Sequence, residues 1–316
     1  MNRFTIALTL CSAFLLRGQP KPSAPSSNIE VIHVRGNVYM FASDFGNATV
    51  QVGEHRDNDG AFMVDTGSTE TAPKILAELQ KLTKKPLRYV VNTSANVEHL
   101  AGNDAIAKPG EVRDTGGPQG AATNIYSHDN TLTRMSAPEM KLPAHALPTI
   151  TFERLKDFTF NGESIQMISV APAVTDGDSI VYFRGSDVIS TGDVFLTTGY
   201  PKIDLARGGS IQGEIAALNR IIEIAVPEIT EEGGTMIIPG HGRLCDEADV
   251  VEYRDMVTIL RDRVQDMVNK GMTLDQVKAA KPTLDYDARY GSDSGPWTTA
   301  MFIEAMYQDL SAARKK

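Results

Sequence analysis

Side chains that can bind a metal ion or transfer a proton are concentrated in four short segments of the chain. The segments are residues 64–67, 91–103, 190–195 and 238–242. Their carboxylates and imidazoles are Asp65, Glu98, His99, Asp193 and His241. Carboxylate oxygens and imidazole nitrogens bind zinc, iron or manganese, and the same groups act as general acids and bases. One such segment is weak evidence, because Gly-Asp and Gly-His turns are common, but the four together predict a metal or hydrolytic site.

Each of these segments follows a short β-branched or aromatic run that predicts a strand. In the first part of the chain, such runs occur over residues 29–64 and are separated by Gly, Asn and Asp, as in a meander. Residues 69–82 have Ile and Leu at helical spacing and precede a predicted strand at 87–91. The polar stretch 127–130, which contains His128, predicts a turn.

The second part of the chain repeats this order of strands followed by helices. A new strand series starts at Ile150 and includes a hairpin turn at Asn161 and Gly162. Helices are predicted over residues 211–225, 248–270 and 298–313, and a further strand over 236–238. Two halves of this kind predict an α+β domain over residues 29–316, with two sheets packed face to face and helices on their outer sides.

The composition limits what the protein can bind. The 316 residues include 31 Lys+Arg and 40 Asp+Glu, so the formal net charge is −9. We expect no nucleic-acid partner, because phosphate binding needs a concentrated cationic surface. Hydrophobic residues make up 41% and charged residues 22% of the chain, as in ordinary globular proteins. Only six His and two Cys are present, so a metal site must be built from few imidazoles.

The first 28 residues are predicted to be a signal peptide and a tether. Arg3 precedes an apolar run over residues 4–16, which has the length of a secretory signal rather than of a membrane span. The Pro- and Ser-rich residues 18–27 follow it. We expect a periplasmic or secreted protein without membrane contact after signal removal, and with Cys245 as its single cysteine. A retained N-terminal anchor is the alternative, and the sequence predicts no oligomeric state.

From residue 29 onward, the order and spacing of the four segments resemble the metallo-β-lactamase superfamily. Members of that family usually follow a strand with Thr-His-x-His-x-Asp-His, and the corresponding positions here are 93–99. The resemblance implies an αββα four-layer sandwich with a one- or two-metal hydrolytic site along the edge of its sheets. Residues 191–195 and 208–210, with Tyr200 and Pro201 between them, resemble a secreted bacterial branch of the family.

Three histidines of the family pattern are missing from this chain. Ser94 and Asn96 stand at the first two histidine positions, and Val174 stands at the third. The family usually binds its first metal with these three imidazoles, so the resemblance implies that the first metal site is lost.

The second metal site of the family pattern is largely kept. Glu98 replaces the usual Asp, and His99, Asp193 and His241 match their positions. The resemblance therefore implies one divalent ion, zinc in the first place, bound by Glu98, His99, Asp193 and His241. No bound metal at all is the alternative, because the extra methylene of Glu98 displaces the carboxylate.

Two functions remain open for such a site. The first is a metal-dependent hydrolase of a lactam, lactone, ester or thioester, with Glu98 and Asp193 taking part in catalysis. The second is a catalytically inactive, metal-free scaffold that binds a small molecule or a protein, because the same fold can lose its chemistry and keep its pocket.

Further residues are predicted to surround the metal ligands. Asp65 is expected to accept a hydrogen bond from a metal-binding imidazole and so to orient it. Asn96, Asn103 and Tyr200 are expected to contact a small-molecule substrate at the rim of the cleft.

Overall fold

Two β-sheets lie at the centre of the structure, a computed structural model that describes residues 28–53, 59–107, 123–230 and 233–314. The strands of the first sheet are β1 (Glu30–Arg35), β2 (Val38–Ala42), β3 (Ala48–Val52), β4 (Ala61–Val64), β5 (Leu87–Asn92), β6 (Asn124–His128) and β7 (Ile150–Phe152). Those of the second are β8 (Leu155–Phe160), β9 (Glu163–Ser169), β10 (Ser179–Phe183), β11 (Val188–Ser190) and β12 (Met236–Ile238).

The helices lie between and after these strands. They are α1 (Ala72–Leu82), α2 (Val97–Leu100), α3 (Asn103–Ile106), α4 (Asp129–Met135), α5 (Ile211–Ile224), α6 (Glu247–Asn269), α7 (Leu274–Ala280), α8 (Asp287–Tyr290) and α9 (Thr299–Ala313). None of the helices in the described part of the chain combines the length and the apolar character that crossing a membrane requires.

Parallel pairing places the polar segments at matching ends of neighbouring strands. The first sheet follows chain order from β1 to β7, and its strands β4 to β7 are parallel, with Val64 opposite Val91. In the second sheet, β12-β11-β10-β9-β8, the pair β11 and β12 is parallel, with Ser190 opposite Ile238. Because parallel strands end at the same edge, the segments after β4 and β5 lie together, as do those after β11 and β12.

The hydrophobic core has three layers of side chains, which separate four layers of secondary structure. Between the sheets, Phe62 and Val91 pack in one cluster with Val181 and Phe183. The other face of the first sheet packs against apolar residues of α1. The other face of the second sheet packs against α5, α6 and α9. Successive strand residues point to opposite sides, which gives an αββα sandwich and confirms the predicted fold class.

The long helices agree with prediction to within one residue at each end, and α1 begins at Ala72 rather than at residue 69. The predicted turn at 127–130 is wrong, since these residues end β6 and begin α4. His128 itself caps α4, because its Nδ1 accepts a hydrogen bond from the backbone N–H of Asn130 at 3.1 Å. Residues 1–27 of the predicted signal peptide and tether lie outside the described residues, and export stays a prediction.

Candidate metal centre

Glu98, His99, Asp193 and His241 come together at one edge of the two sheets. Glu98 and His99 lie in α2 after β5, Asp193 lies in a 3₁₀ turn after β11, and His241 follows β12. One ligand atom from each residue lies within 4.8 Å of those of the other three. The structure therefore brings the four predicted metal ligands to one place.

Two glycines set the distance between Asp193 and His241. The backbone N–H of Gly240 donates to the carbonyl oxygen of Gly192 at 2.9 Å. A Cβ atom at Gly240 would lie 2.7 Å from that oxygen, and Gly192 has a φ of +53°. Glycine is required at this contact, because a side chain would push the two loops apart. The residues that follow the glycines, Asp193 and His241, are held side by side as a result.

Asp193 is the central carboxylate of the cluster and its side chain is 1% exposed. Its Oδ1 lies 2.8 Å from His99 Nε2 and 3.3 Å from His241 Nε2. Its Oδ2 accepts a hydrogen bond from the Asn96 amide at 2.7 Å. Burial alone would raise the pKa of Asp193, but the two imidazoles outweigh burial and hold that pKa well below its usual value. Asp193 is therefore an anion.

His99 is fixed between two carboxylates. Its Nδ1 lies 2.9 Å from Asp65 Oδ2, while its Nε2 faces Asp193. Asp65 is itself fixed, because its oxygens accept from the backbone N–H of Thr93 at 2.8 Å and from the Thr93 hydroxyl at 2.7 Å. Burial would lower the pKa of His99, but Asp193 and Asp65 raise it well above its usual value. Asp65 thus has the orienting geometry that the sequence predicted for it.

Glu98 pairs with a cation that the sequence did not indicate. Its Oε1 accepts from the ammonium of Lys202, and the same oxygen lies 3.8 Å from His241 Nε2. Burial would raise the pKa of Glu98, but His241 and Lys202 lower it to about 2 in spite of the nearby Asp193. Lys202 is 104 residues away in the sequence, and only the tertiary fold brings it to the site.

The four side chains fit a single divalent ion. In tetrahedral geometry, a zinc ion bonded to nitrogen and oxygen at about 2.0–2.2 Å separates its ligand atoms by about 3.3 Å. Asp193 Oδ1 lies 2.8 Å from His99 Nε2 and 3.3 Å from His241 Nε2, and His241 Nε2 lies 3.8 Å from Glu98 Oε1. All four ligand atoms lie within 4.8 Å of one another, so side-chain shifts can bring them to this spacing. His241 Nε2 is buried and has no hydrogen-bond partner among the described residues. A buried nitrogen that faces two carboxylates without such a bond is suited to metal coordination.

The three positions at which the family pattern has histidine carry other groups. Ser94 is buried, and its hydroxyl accepts from the Asn96 backbone N–H at 3.3 Å. Val174 is buried and offers no donor atom. The Asn96 amide donates to Asp193, and its oxygen lies 3.5 Å from Arg207 Nη1. Asn96 therefore lies at the centre, where it holds Asp193, and its contact with a substrate stays a prediction.

The prediction that Asn103 contacts a substrate is wrong. Asn103 is fully buried at the start of α3. Its amide oxygen accepts from Thr66 at 2.9 Å and from Asn92 at 3.2 Å, and its nitrogen donates to the Asn92 side chain and the Ala146 carbonyl. All of its hydrogen-bonding capacity is used within the protein, so Asn103 stabilises the loops behind the centre.

Tyr200 is largely buried, and its contact with a substrate stays a prediction. Its ring is 3% exposed and stacks on Phe302 with ring centroids 4.7 Å apart. Its hydroxyl donates toward the Asp287 carboxylate at 2.9 Å. Burial and Asp287 raise the pKa of Tyr200 far above its usual value. Tyr200 joins the loop after β11 to α8 and α9, and it contributes to the lining of a cavity that also contains His241.

Among the described residues, two cavities beside the centre share part of their lining, and a third, of about 520 Å³, reaches His241 from the side of residues 28–30 and 42–44. The larger, of about 610 Å³, includes Asn96, Glu98, Lys202 and Arg207 in its lining and extends to α9. The smaller, of about 300 Å³, includes His241. Lys202, Pro296 and Trp297 line both cavities. Arg207 and Trp297 were not predicted from sequence, because neither lies in one of the four polar segments and no local pattern marks them.

The family model of the metallo-beta-lactamase superfamily matches residues 43–241 of this chain. That match covers well over half of the sequence and ends at His241. The chain therefore belongs to the metallo-beta-lactamase superfamily, a family of hydrolases, which confirms the resemblance stated from its motifs.

Alkylsulfatases and lactamases are among the similar proteins. A linear primary-alkylsulfatase of Pseudomonas sp. is 23% identical over 255 residues, which are 69% of this chain and 47% of the relative. The structure of a stereoselective inverting sec-alkylsulfatase from Pseudomonas sp. superposes with a TM-score of 0.64 at 17% identity, covering 89% of this chain and 50% of that one. A metallo-beta-lactamase from Pontibacter korlensis gives 0.57 at 16% identity, covering 73% and 99%. The chain spans about half the length of either alkylsulfatase.

Replacing Asp65 by asparagine is expected to weaken binding of a divalent ion by about 10- to 100-fold, the usual effect of removing a carboxylate that orients a metal-binding imidazole. Asp65 has a φ of 60°, and asparagine tolerates this left-handed conformation, so the backbone is preserved. Competition titration with a chromophoric chelator measures the affinity. Asp187→Asn is the matched control, because Asp187 has a φ of 50° and pairs with Arg35 far from the centre. Equal affinities in the two variants would contradict the role of Asp65.

Proposed function

We propose that the protein is a hydrolase that works with one divalent metal ion, zinc in the first place, bound by Glu98, His99, Asp193 and His241. The observation that carries the proposal is the convergence of these four ligand atoms within 4.8 Å, with His241 Nε2 buried and lacking a hydrogen bond among the described residues. Two carboxylates and two imidazoles are a ligand set that zinc accepts.

A divalent ion at this place supplies a Lewis acid and lowers the pKa of water enough to provide a nucleophile near neutral pH. Asp193 and Glu98 contribute the negative charge that holds such an ion. Asp65 keeps the Nδ1 proton of His99 directed away from the ion, so that Nε2 is available. Asn96 holds Asp193 in place through its 2.7 Å hydrogen bond.

Lys202 and Arg207 provide positive charge on the substrate side of the centre. Both line the larger cavity together with Glu98. Lys202 is held there by Glu98, and Arg207 by Asp204 at 3.4 Å. Cations placed beside a reacting carbonyl or sulfuryl group stabilise negative charge that develops in the transition state. We propose lactams, lactones, esters and thioesters as substrates, and the alkylsulfatase likeness adds sulfate esters to this set.

We propose a mechanism with one metal ion because Ser94, Asn96 and Val174 stand where the family pattern has the three histidines of the first metal site. Ser94 and Val174 are buried, and Asn96 is already engaged with Asp193. A second ion would need ligands that these three side chains do not supply. We also propose export to the periplasm or medium on the basis of the predicted signal peptide.

The charge balance of the cluster favours a second candidate, a metal-free binding protein. Asp65, Glu98 and Asp193 face Lys202, His99 and His241. Burial opposes protonation of His241, but Asp193 and Glu98 raise its pKa, as the carboxylates do for His99. With both imidazoles protonated, three negative and three positive charges neutralise one another without an ion. Such a network would hold the cleft in shape for a ligand.

Metal analysis of the mature protein separates the two candidates. The hydrolase is expected to bind one ion per chain and to lose hydrolysis of a panel of carboxylic, thio-, lactone and sulfate esters when a chelator removes it. Glu98→Gln and His241→Ala should each lose both the ion and the activity. His33→Ala is the control, because His33 is exposed on β1 and bonds to the Gly36 carbonyl. Less than stoichiometric metal after reconstitution with zinc, iron or manganese would refute the hydrolase.

A further inference from the structure

We infer that the third cavity, on the side of residues 28–30 and 42–44, binds a primary ammonium group of the substrate, and that the side-chain oxygen of Asn47 is the hydrogen-bond acceptor for this group. The inference names one substituent of the substrate and rests on the proposed hydrolase for the chemistry. Binding of an ammonium group in the cavity is a separate property, which can be measured without a metal ion and without hydrolysis.

Asn47 is fixed against the loop that carries His241. Its backbone N–H donates to the Gly240 carbonyl at 2.8 Å. Its side-chain NH₂ group donates to the carbonyls of Pro239 at 2.9 Å and Gly242 at 3.0 Å. Both donors of the amide nitrogen are used by this loop, so the orientation of the amide is set and its oxygen is directed away from these carbonyls.

The side-chain oxygen of Asn47 is a buried acceptor without a donor. Asn47 is 7% exposed, and its Oδ1 has no hydrogen-bond partner among the described residues. Leaving a buried amide oxygen without a hydrogen bond is unfavourable, and most such groups in folded proteins have a partner. Asn47 contributes to the lining of the third cavity. A donor bound in that cavity would supply the missing hydrogen bond.

The charge of the lining decides which kind of donor fits. Glu30 and Asp44 contribute carboxylates, and no lysine or arginine is among the described residues that line the cavity. His241 also contributes to the lining, and an imidazole that binds a metal ion is neutral. A hydroxyl or amide donor has no charge to pair with the two carboxylates, whereas an ammonium group brings a positive charge and three N–H donors.

The other two cavities at the centre are less suited to a cation. Both include Lys202 in their lining, and the larger one also includes Arg207. His241 lines both the smaller cavity and the third one. A substrate whose scissile bond faces the metal ligands can therefore direct a substituent past His241 into the third cavity. The volume of about 520 Å³ is sufficient for a substituent of several non-hydrogen atoms.

Three probes of similar size separate the effects of charge and of hydrogen bonding. Butylammonium has both a positive charge and N–H donors, 1-butanol lacks the charge, and trimethylbutylammonium lacks the donors. Each is titrated against the ¹⁵N-labelled full-length protein, with and without chelator, while the side-chain NH₂ resonances of Asn47 are followed. We expect butylammonium to shift these resonances saturably and to bind about tenfold or more tightly than either other probe, as for a hydrogen bond with a charged group.

Glu30→Gln and Asp44→Asn test the charge of the lining. Both side chains belong to exposed residues, so the variants are expected to fold normally, which thermal melting checks. Each should weaken binding of butylammonium by about two- to fivefold, the effect of one exposed charge, and leave binding of 1-butanol unchanged. Glu223→Gln is the control, because Glu223 is exposed on α5 and lies outside the lining.

The metal ligands could themselves attract an ammonium group in chelated protein, so Asp193→Asn is titrated as well. Binding that is lost in Asp193→Asn but unchanged in Glu30→Gln and Asp44→Asn would place the probe among the metal ligands and overturn the inference. Equal affinities for the three probes, or no shift of the Asn47 resonances, would overturn it too.

The remaining outcomes separate this inference from the proposed function. Tighter binding of butylammonium that persists in chelated protein and weakens in Glu30→Gln and Asp44→Asn supports the site even if no ester is hydrolysed. Metal-dependent hydrolysis of butyl and 4-aminobutyl esters with equal kcat/KM would overturn the ammonium group as part of the substrate and leave the hydrolase intact.

Discussion

Replacing Asp193 by asparagine is expected to lower the affinity for a divalent ion by at least 100-fold. Asp193 is the one carboxylate whose oxygen lies near both imidazoles of the cluster, at 2.8 Å from His99 and 3.3 Å from His241. Asparagine keeps the size of the side chain but removes the negative charge. An amide is a much poorer ligand than a carboxylate for zinc, so the ion loses both a strong bond and the charge that neutralises it.

Zinc competition titrations and the visible spectrum of the cobalt-substituted protein measure this effect. Asp157→Asn is the control, because Asp157 lies exposed on β8 and accepts from Ser164 and Gln166 away from the centre. If Asp193→Asn leaves both the visible spectrum of the cobalt-substituted protein and the affinity for zinc unchanged, the ion is bound elsewhere.

The same substitution has a second expected effect, on the pH dependence of stability in the metal-free protein. The carboxylates raise the pKa values of His99 and His241. Each protonated imidazole therefore stabilises the folded protein fully below the ordinary pKa of 6.5, and this stabilisation is lost as the pH rises through the raised pKa. The pKa of Asp193 is lowered, so its stabilisation is present above 3.8 and is lost as the pH falls. Urea unfolding in the presence of chelator should show that Asp193→Asn lowers the free energy of unfolding most between pH 3.8 and pH 6.5.

Glu214→Gln is expected to increase the stability of the protein relative to the unchanged protein, and this increase should be larger in alkaline than in acidic solution. Glu214 lies in the first turn of α5, is fully buried, and has no hydrogen-bond partner for either oxygen among the described residues. Burial raises its pKa well above the usual value, and the negative charges of Asp178 and Asp193 raise it further. Asp178 is itself buried, and burial raises the pKa of Asp178 to about 7.

The sign of the Glu214 effect follows from linkage. For an acid whose pKa is raised by folding, stability is full below the ordinary value of 4.5 and falls as the pH rises toward the folded value. Glutamine does not titrate, so the variant should lack this fall. The stability advantage of the variant over the unchanged protein should therefore be larger at pH 8.5 than at pH 4.5.

Urea unfolding at both pH values in the metal-free state measures the Glu214 effect. Glu223→Gln is the matched control, because Glu223 lies on the same helix with its side chain 64% exposed and pairs with Arg220. Parallel pH profiles for the unchanged protein and Glu214→Gln would mean that a partner neutralises the buried carboxyl.

Most polar residues of the candidate centre could be located from the sequence because they follow strands, and strands have a strong local pattern. Asp65, His99, Asp193 and His241 each lie after a run of β-branched or apolar residues. Parallel strands end at a common edge, so the strands predict which of these side chains lie together within each sheet. That the two sheets contribute to one site followed from the resemblance of the spacing to the family pattern. The long helices were equally accessible, since their apolar periodicity extends over three or more turns.

The remaining residues of the site depend on tertiary contacts that leave no local pattern. Lys202 contacts Glu98 across 104 residues, and Trp297 reaches the cavity from the turn before α9. Asn103 lies in the right segment but its side chain is turned inward by Thr66 and Asn92. Position along the chain predicts which loop a residue belongs to, whereas the direction of a polar side chain follows from the partners it finds.

The wall of the larger cavity includes Trp297, Met301 and Ala305, which lie beyond residue 241, where the match to the family model ends. Val97, Met140 and Leu205, which line the same cavity, precede that boundary. The four proposed metal ligands all precede or coincide with it. Exchange of the C-terminal stretch between related chains would therefore reshape part of the cavity wall and leave every proposed metal ligand in place.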